Sequence, residues 1–322
     1  MSNESLCAFV SSEHKFGGQS NHSDERHCDF VSSRGLMKSC DVFPQNPVSS
    51  IRRCYDYDWD TLKSHATVYI PSSAIPDFIA RVWPKIEVPI ILVSGDCDET
   101  VPYDIFPSQE AALAFVKDKR LVAWFAQNMI QFHSKTHQIP IGMDYHTLSA
   151  NANHSWGPQQ TPEQQEQALK MLRDRKDVQK PLIHANFQFS MRTRYGKDRE
   201  AAIKEIPKEL IYYQPKPGIR FLTWAVQHEY AFVASPWGGG LDCHRTWEAL
   251  ALGLYPILHS SELDSMFRDL PVLIVKAWSQ VTRERLDAFL KEQEGKPKGV
   301  PEKLFLKYWV QKINLFRTAP VE

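Results

Sequence analysis

The chain has 322 residues, more than one hydrophobic core usually serves, so we expect two domains. It carries 38 basic and 38 acidic residues, and this balance argues against a protein whose main task is to coat nucleic acid. Its six cysteines form no CxxC pair, which excludes zinc-ribbon and thioredoxin-type sites.

The first 65 residues are rich in Ser, His, Asp and Cys and show no strong hydrophobic periodicity. From Ala66 onward, apolar strand patterns alternate with helix patterns. We expect strands at 66–72, 88–95, 121–128 and 137–144, and helices at 77–86 and 107–117. This alternation predicts a parallel sheet with helices covering it.

A domain boundary is predicted between residues 151 and 180. The stretch opens with Gly, Pro and Gln and continues as a polar helix, with Thr161 as its cap and Pro162 at its first position. The second half alternates again. We expect strands at 181–190, 231–236, 255–259 and 272–278, and helices at 196–206, 220–230, 261–270, 282–295 and 302–317, with one more helix around Arg245.

The most informative segment, residues 232–259, is predicted as a strand, a glycine-rich turn, a helix and a second strand. Gly238, Gly239 and Gly240 let the backbone approach a ligand closely, and the helix that follows presents unpaired N–H groups. Arg245 offers a fork of donors that matches a diphosphate. Glu248, one turn further on, is placed to accept two ribose hydroxyls. The spacing fits neither GxGxxG nor a P-loop.

The stretch SPWGGGLDCHRTWEALALGLYPIL, followed by VLIVKAWSQVTRERLDAFL, resembles glycosyltransferases of the GT-B class, exostosin-like ones in particular. The resemblance covers residues 182–290, about a third of the chain. It implies an α/β fold of two Rossmann-like domains that face a central cleft. An acceptor-binding domain would span residues 1–155 and a nucleotide-sugar-binding domain residues 156–300. Residues 301–322 would form a C-terminal helix that crosses back onto the first domain.

The resemblance also implies an activity, the transfer of a sugar from a nucleotide-diphosphate sugar to a hydroxyl of a glycan acceptor. Beyond that donor, a UDP- or GDP-sugar for example, no cofactor and no metal are expected. The basic loop after the strand at 181–190 would meet the donor phosphates, although a solvated loop is the alternative, and Arg199 is expected on a helix surface. The predicted donor-binding residues are Gly238, Gly239, Gly240, Asp242, His244, Arg245, Glu248, Arg192 and Arg194.

Catalysis by such a site needs stabilisation of the leaving group, which the helix N-terminus and Arg245 would supply. Asp96 and Asp98 follow a buried strand at the edge where an α/β cleft lies, so they are candidate general bases. Their spacing also fits the metal-binding DxD of GT-A glycosyltransferases, which leaves a metal-dependent transferase as an alternative. A third interpretation is a carboxylate-rich turn that caps the next helix.

Polar side chains also follow the next two predicted strands. Asn128, Asp144 and His146 carry amide, carboxylate and imidazole groups that suit recognition of acceptor hydroxyls. A carbohydrate- or nucleotide-binding protein without turnover remains an alternative. The start of the chain does not resemble a signal peptide, and no apolar run approaches 18 residues. We therefore expect no membrane span and a cytoplasmic protein, or a domain excised from a longer one.

Overall fold

The computed structural model describes residues 24–189, 193–214, 218–296 and 299–319. It is a mixed α/β structure with two parallel sheets, which confirms the predicted class. The first sheet has the strand order β1-β2-β3-β4, with β1 at Ala66–Pro71, β2 at Ile90–Gly95, β3 at Leu121–Ala126 and β4 at Thr136–Gln138. A small antiparallel hairpin, β5 at Asn153–His154 and β6 at Gly157–Pro158, follows it.

The second sheet has the order β11-β10-β9-β7-β8. Its strands are β7 at Lys180–Ala185, β8 at Ile211–Tyr213, β9 at Tyr230–Ala234, β10 at Tyr255–His259 and β11 at Leu273–Val275. Read from β8, this is the doubly wound order 2-1-3-4-5. The direction of winding therefore reverses between β7 and β9, and such a switch point opens a crevice at the carboxyl ends of the strands.

Helices alternate with most of the strands along the chain, as is usual in an α/β fold. They are α1 at Ser33–Lys38, α2 at Gln109–Val116, α3 at His146–Ala150, α4 at Pro162–Arg173, α5 at Lys197–Glu205, α6 at Arg220–Gln227, α7 at His244–Ala251, α8 at Arg283–Gln293 and α9 at Leu306–Asn314. Residues 72–85 form irregular helical turns between β1 and β2. No helix in the described ranges is long and apolar enough to cross a membrane.

Two predicted elements differ from the structure, and one strand was not predicted. The strand expected at 137–144 ends at Gln138, because Pro140 has no N–H to donate and Gly142 turns with a φ of 65°. Residues 261–270 form successive turns in place of the predicted helix. The edge strand β8 was missed, since three residues are too few for a period-2 pattern to stand out.

Alternate residues of the first sheet pack into different cores. We call the part built on the first sheet the first unit and the part built on the second sheet the second unit. Ile90 and Leu92 face the irregular turns and α2, while Ile91 and Val93 face a core shared with the second unit. A third core lies beneath the second sheet, around Phe232 and Ile257.

The carboxyl edges of the two sheets face each other. The backbone N–H of Asp242, in the loop after β9, donates to Asn128 Oδ1 at 2.9 Å, and Asn128 follows β3. Thr100, in the loop after β2, bonds the hydroxyl of Tyr195 at 2.6 Å. The loops that carry the predicted site residues are therefore in direct contact.

The C-terminal helix crosses back onto the first unit, as predicted. Phe316, just after α9, packs its ring 5.4 Å from that of Phe125 in β3 and 4.9 Å from that of His137 in β4. Arg317 pairs with Asp41 at 2.7 Å.

Candidate functional site

The crevice expected at the switch point would lie between the loop after β7, residues 186–189, and the loop after β9, residues 235–243. The glycine-rich turn belongs to the second loop and leads directly into α7. Asp198 of α5 holds the start of this turn, because its carboxylate accepts the Trp237 N–H at 2.9 Å, the Trp278 indole at 2.7 Å and a nitrogen of His259 at 2.7 Å. The turn is thus fixed before any ligand arrives.

The glycines of this turn let neighbouring side chains pack directly against its backbone. A Cβ on Gly239 would collide with the Asp98 carboxylate, and one on Gly238 would meet the guanidinium of Arg199. Helix α7 begins after Cys243, which provides no side-chain cap. Its first N–H groups and the positive end of its dipole therefore face the crevice.

Arg245, which the sequence analysis predicts to bind a diphosphate, extends from α7 to the loop after β7. Its Nε donates to the Asn186 carbonyl at 3.2 Å, and its guanidinium lies 5.2 Å from the centre of the Phe187 ring. Its Nη1 is buried without a hydrogen-bond partner, and so is Asn186 Nδ2. Burial lowers the pKa of Arg245 below its usual value, and the positive charge of Arg199 adds to this effect.

Arg199 is a site residue that the sequence analysis missed. It was expected on a helix surface, yet it is only 7% exposed and donates to the carbonyls of Trp237 at 3.1 Å and Gln188 at 2.7 Å. No carboxylate of the described residues forms an ion pair with Arg199 or Arg245. Arg199 and Arg245 thus both lie beside the Phe187 ring, and neither has a carboxylate within ion-pair distance among the described residues.

Glu248 lies one turn along α7 and is held by a second residue that sequence analysis missed. The buried Arg220 pairs with one carboxylate oxygen of Glu248, and the indole of Trp224 donates to the other at 3.1 Å. The Arg220 guanidinium also lies 4.8 Å from the ring centre of Trp156 and 4.9 Å from that of Trp224. Glu248 therefore has a fixed orientation, and its contact with a ribose stays a prediction.

Asp242 joins the two units. Its carboxylate accepts the Ile141 N–H at 2.8 Å, the Cys243 N–H at 2.9 Å and the Trp247 indole at 2.9 Å. Asn128, predicted to bind the acceptor, instead contacts Gly240 and the Asp242 backbone. The structure gives both residues contacts that hold the loop after β3 against the glycine-rich loop.

The two aspartates after β2 point in different directions. Asp96 accepts from Ser49 at 3.0 Å and lies 3.8 Å from Arg34, whereas Asp98 lies against Gly239. Although Asp98 is solvent-exposed, desolvation by neighbouring atoms raises its pKa, an effect that His244 opposes. The described residues contain no group of three or more His, Cys, Asp or Glu side chains arranged to hold a metal ion.

Asp144 and His146 lie together near the start of α7. His146 Nδ1 is 3.1 Å from Asp144 Oδ1, and the His146 ring centre is 5.9 Å from that of His244. A nitrogen of His244 bonds the Gly142 carbonyl at 2.7 Å. The predicted acceptor residues Asp144 and His146 are thus adjacent to the predicted donor residue His244.

The remaining predicted donor residues are Arg192 and Arg194. Arg194 pairs with Asp104 of the first unit at 3.2 Å and is about half exposed. Its guanidinium also lies 4.9 Å from the Tyr195 ring centre. Arg192 lies outside the described residues.

No protein-family model matches the chain, and no curated protein matches it. Among solved structures, the catalytic domain of starch synthase IV from Arabidopsis thaliana, bound to ADP and acarbose, is similar over 80% of this chain and 70% of that chain. The identity is 10% and the TM-score is 0.33. A TM-score this low identifies no family, so the function has to be argued from the site itself.

Proposed function

We propose that the protein is a glycosyltransferase that moves a sugar from a nucleotide-diphosphate sugar to a hydroxyl of a glycan acceptor, without a metal. One observation carries this proposal. Arg199 and Arg245 lie at the switch point of a doubly wound sheet, beside an uncapped helix N-terminus, with no carboxylate partner among the described residues. A diphosphate would supply oxygens that accept from both arginines, beyond the partial charge balance that Asp98 gives Arg199.

The same groups would stabilise the leaving group. As the bond between the anomeric carbon and the phosphate oxygen breaks, negative charge collects on the nucleoside diphosphate. Arg199 is buried, Arg245 has a buried Nη1, and backbone carbonyls hold both side chains, so they need little rearrangement to meet that charge. This is the role that a metal ion plays in other transferases.

Glu248 is the proposed ribose ligand. An ionised carboxylate has about four acceptor positions, and Arg220 and Trp224 occupy two of them. The remaining positions can accept the two adjacent hydroxyls of a ribose. Residues of the first unit would bind the acceptor from across the interface, with Asp144 and His146 beside His244 at the start of α7.

The first test measures the Tm of the protein in the presence of UDP, GDP, ADP, CMP and their sugars. A ligand at about 100 times its Kd stabilises the folded state by about 2.7 kcal/mol. We expect one of the nucleoside diphosphates, together with its sugars, to raise Tm. The matching nucleoside should leave Tm unchanged. No increase with any nucleotide would contradict the proposal.

Release of nucleotide is then followed with and without glycan acceptors, in EDTA and in Mn²⁺. Turnover that survives EDTA supports the metal-independent mechanism. Turnover that requires Mn²⁺ would favour the metal-dependent alternative at Asp96 and Asp98. Tight binding with neither hydrolysis nor transfer would identify a nucleotide-binding protein without catalysis.

A further inference from the structure

We propose that His146, oriented by Asp144, is the general base that takes the proton from the acceptor hydroxyl, an assignment that rests on the proposed transferase function. The acceptor oxygen forms a bond to the anomeric carbon while its proton moves to His146 Nε2. The bond from that carbon to the phosphate oxygen breaks, and its electron pair leaves with the nucleoside diphosphate. The imidazolium then releases the proton to solvent.

The geometry of the pair sets which nitrogen acts. His146 Nδ1 lies 3.1 Å from Asp144 Oδ1. The Asp144 carboxylate is itself fixed, because it accepts from the backbone N–H of Thr147 at 3.1 Å and from its hydroxyl at 2.9 Å. The charge of the nearby Asp144 carboxylate favours a proton on Nδ1, and Nε2 is then the nitrogen that accepts. The His146 side chain is 19% exposed.

The surroundings of His146 are polar and incompletely paired. The charges that act on it come from Asp144, from Arg34 of α1, from His244 of α7 and from Asp96 after β2. Arg34 Nε and Asp96 Oδ2 are buried without a hydrogen-bond partner, as is Nη1 of Arg220 on the far side of Asp144. Buried polar groups are normally paired. A ligand rich in hydroxyls, as a sugar acceptor is, would satisfy them.

The position of His146 also fits the reaction. Its neighbour His244 is the first residue of α7, whose N-terminus is the proposed diphosphate site. Asp98, by contrast, lies directly against Gly239 in the diphosphate-binding turn itself. A base has to reach the acceptor oxygen at the anomeric carbon, whereas Asp98 is beside the departing phosphate.

The charge state agrees with this role. Burial lowers the pKa of His146; Asp144 and Asp96 oppose this effect, and Arg34 and His244 add to it. Burial acts to raise the pKa of Asp144, but His146, Arg220 and His244 outweigh it and hold that pKa well below its usual range. His146 is therefore neutral at pH 7. Its activity as a base is lost only as the pH falls below the usual histidine range.

The experiment compares His146→Gln with the parent, using the nucleotide sugar that the parent turns over and an acceptor glycan. We expect kcat to fall about 100- to 10,000-fold, the usual contribution of a general base. The Kd of the nucleotide should stay within about twofold, since donor contacts lie on the other unit. His27→Gln is the matched control, because the His27 side chain is 71% exposed, and we expect it to behave as the parent.

A His146→Gln variant with the kcat of the parent overturns this assignment and leaves the proposed function intact. An equal loss of kcat and nucleotide affinity also overturns it, since that pattern marks a structural role. If the variant does not fold, the pH dependence of kcat in the parent tests the assignment of His146. A kcat that does not fall on the acid side, down to the pH at which the parent unfolds, contradicts a histidine base. A parent that binds no nucleotide overturns the proposed function and this assignment together.

Discussion

Arg199 and Arg245 lie beside the same aromatic ring, with their guanidinium carbons 5.9 Å and 5.2 Å from the centre of Phe187. Two like charges in a crevice of low water content repel each other. Their hydrogen bonds go to backbone carbonyls, which carry no full charge to offset them. An anion with two or more charges would relieve this repulsion, and that relief is the physical basis for proposing a diphosphate ligand.

We predict that Arg245→Lys weakens nucleoside diphosphate binding by about 1.5–3 kcal/mol, the range for hydrogen bonds to charged groups. A lysine provides a point charge but not the paired donors of a guanidinium. Calorimetric titration measures the Kd, and Arg26→Lys serves as the control, since Arg26 is exposed and pairs with Asp24. An unchanged Kd and kcat in Arg245→Lys would show that this side chain is not a phosphate ligand.

Glu248→Ala is predicted to destabilise the fold as well as to weaken donor binding. It leaves Arg220 buried with its main partner removed, and breaking such a pair lowers the free energy of unfolding by about 3–5 kcal/mol. The double variant Arg220→Met with Glu248→Leu should lose less stability than Glu248→Ala alone. Urea denaturation measures both. A double variant less stable than the single one would contradict this view of the pair.

The same double variant tests the ribose role separately. If it folds and binds the nucleotide as tightly as the parent, Glu248 is a structural residue only. We expect its affinity to fall by about 1–3 kcal/mol, the penalty for leaving buried polar partners unpaired.

Asp98→Asn distinguishes the two candidate bases. Removing a negative charge beside a helix N-terminus should tighten diphosphate binding by about 0.3–1 kcal/mol. We expect kcat to stay within about tenfold of the parent, because His146 would still accept the proton. A strong loss of kcat with normal nucleotide affinity would return the role of base to Asp98. A loss of affinity that Mn²⁺ restores would indicate a metal site.

Stability should fall in mild acid because of His184, which is fully buried in β7. Burial lowers its pKa to about 4, from 6.5 in the unfolded chain. Below pH 6.5 the unfolded state therefore binds a proton that the folded state does not, and stability is lost as the pH falls. At pH 5 the loss amounts to about 2 kcal/mol relative to pH 7.

Urea denaturation of the parent and of His184→Leu at both pH values measures this effect. The loss in the free energy of unfolding between pH 7 and pH 5 should be about 2 kcal/mol smaller in the variant than in the parent. An equal pH dependence in both proteins would mean that the folded state accommodates a charged His184. His133→Leu is a suitable control because His133 is partly exposed.

The fold class, the position of the glycine-rich turn and the C-terminal helix could be predicted from the sequence, because local patterns encode them. The continuous apolar run of β2 and the glycines before α7 gave the α/β class and the position of the turn. The large apolar residues near the end of the chain, together with the resemblance, gave a helix that crosses back to the first unit. Each of these features lies within a few consecutive residues, or in a pattern of fixed period.

The partners of the site residues could not be predicted in this way. Arg199 lies in the sequence KDREAAIKE, which has the composition of an exposed helix, and it is buried because the loop after β9 folds over it. Arg220 is 28 residues away from Glu248. Nothing local to either residue indicates the other, since the pairing depends on how α6 and α7 pack in the folded chain.

The central claim is that Arg199 and Arg245 bind a diphosphate. The most direct measurement is calorimetric titration of UDP, GDP and ADP, and of their nucleosides, into the parent and into the double variant Arg199→Gln with Arg245→Gln. We predict that at least one nucleoside diphosphate binds the parent, that its nucleoside binds far more weakly, and that the double variant loses about 100-fold or more in affinity, equivalent to about 2.7 kcal/mol. A parent that binds none of the three diphosphates, or a folded double variant that binds one as tightly as the parent, would contradict the claim.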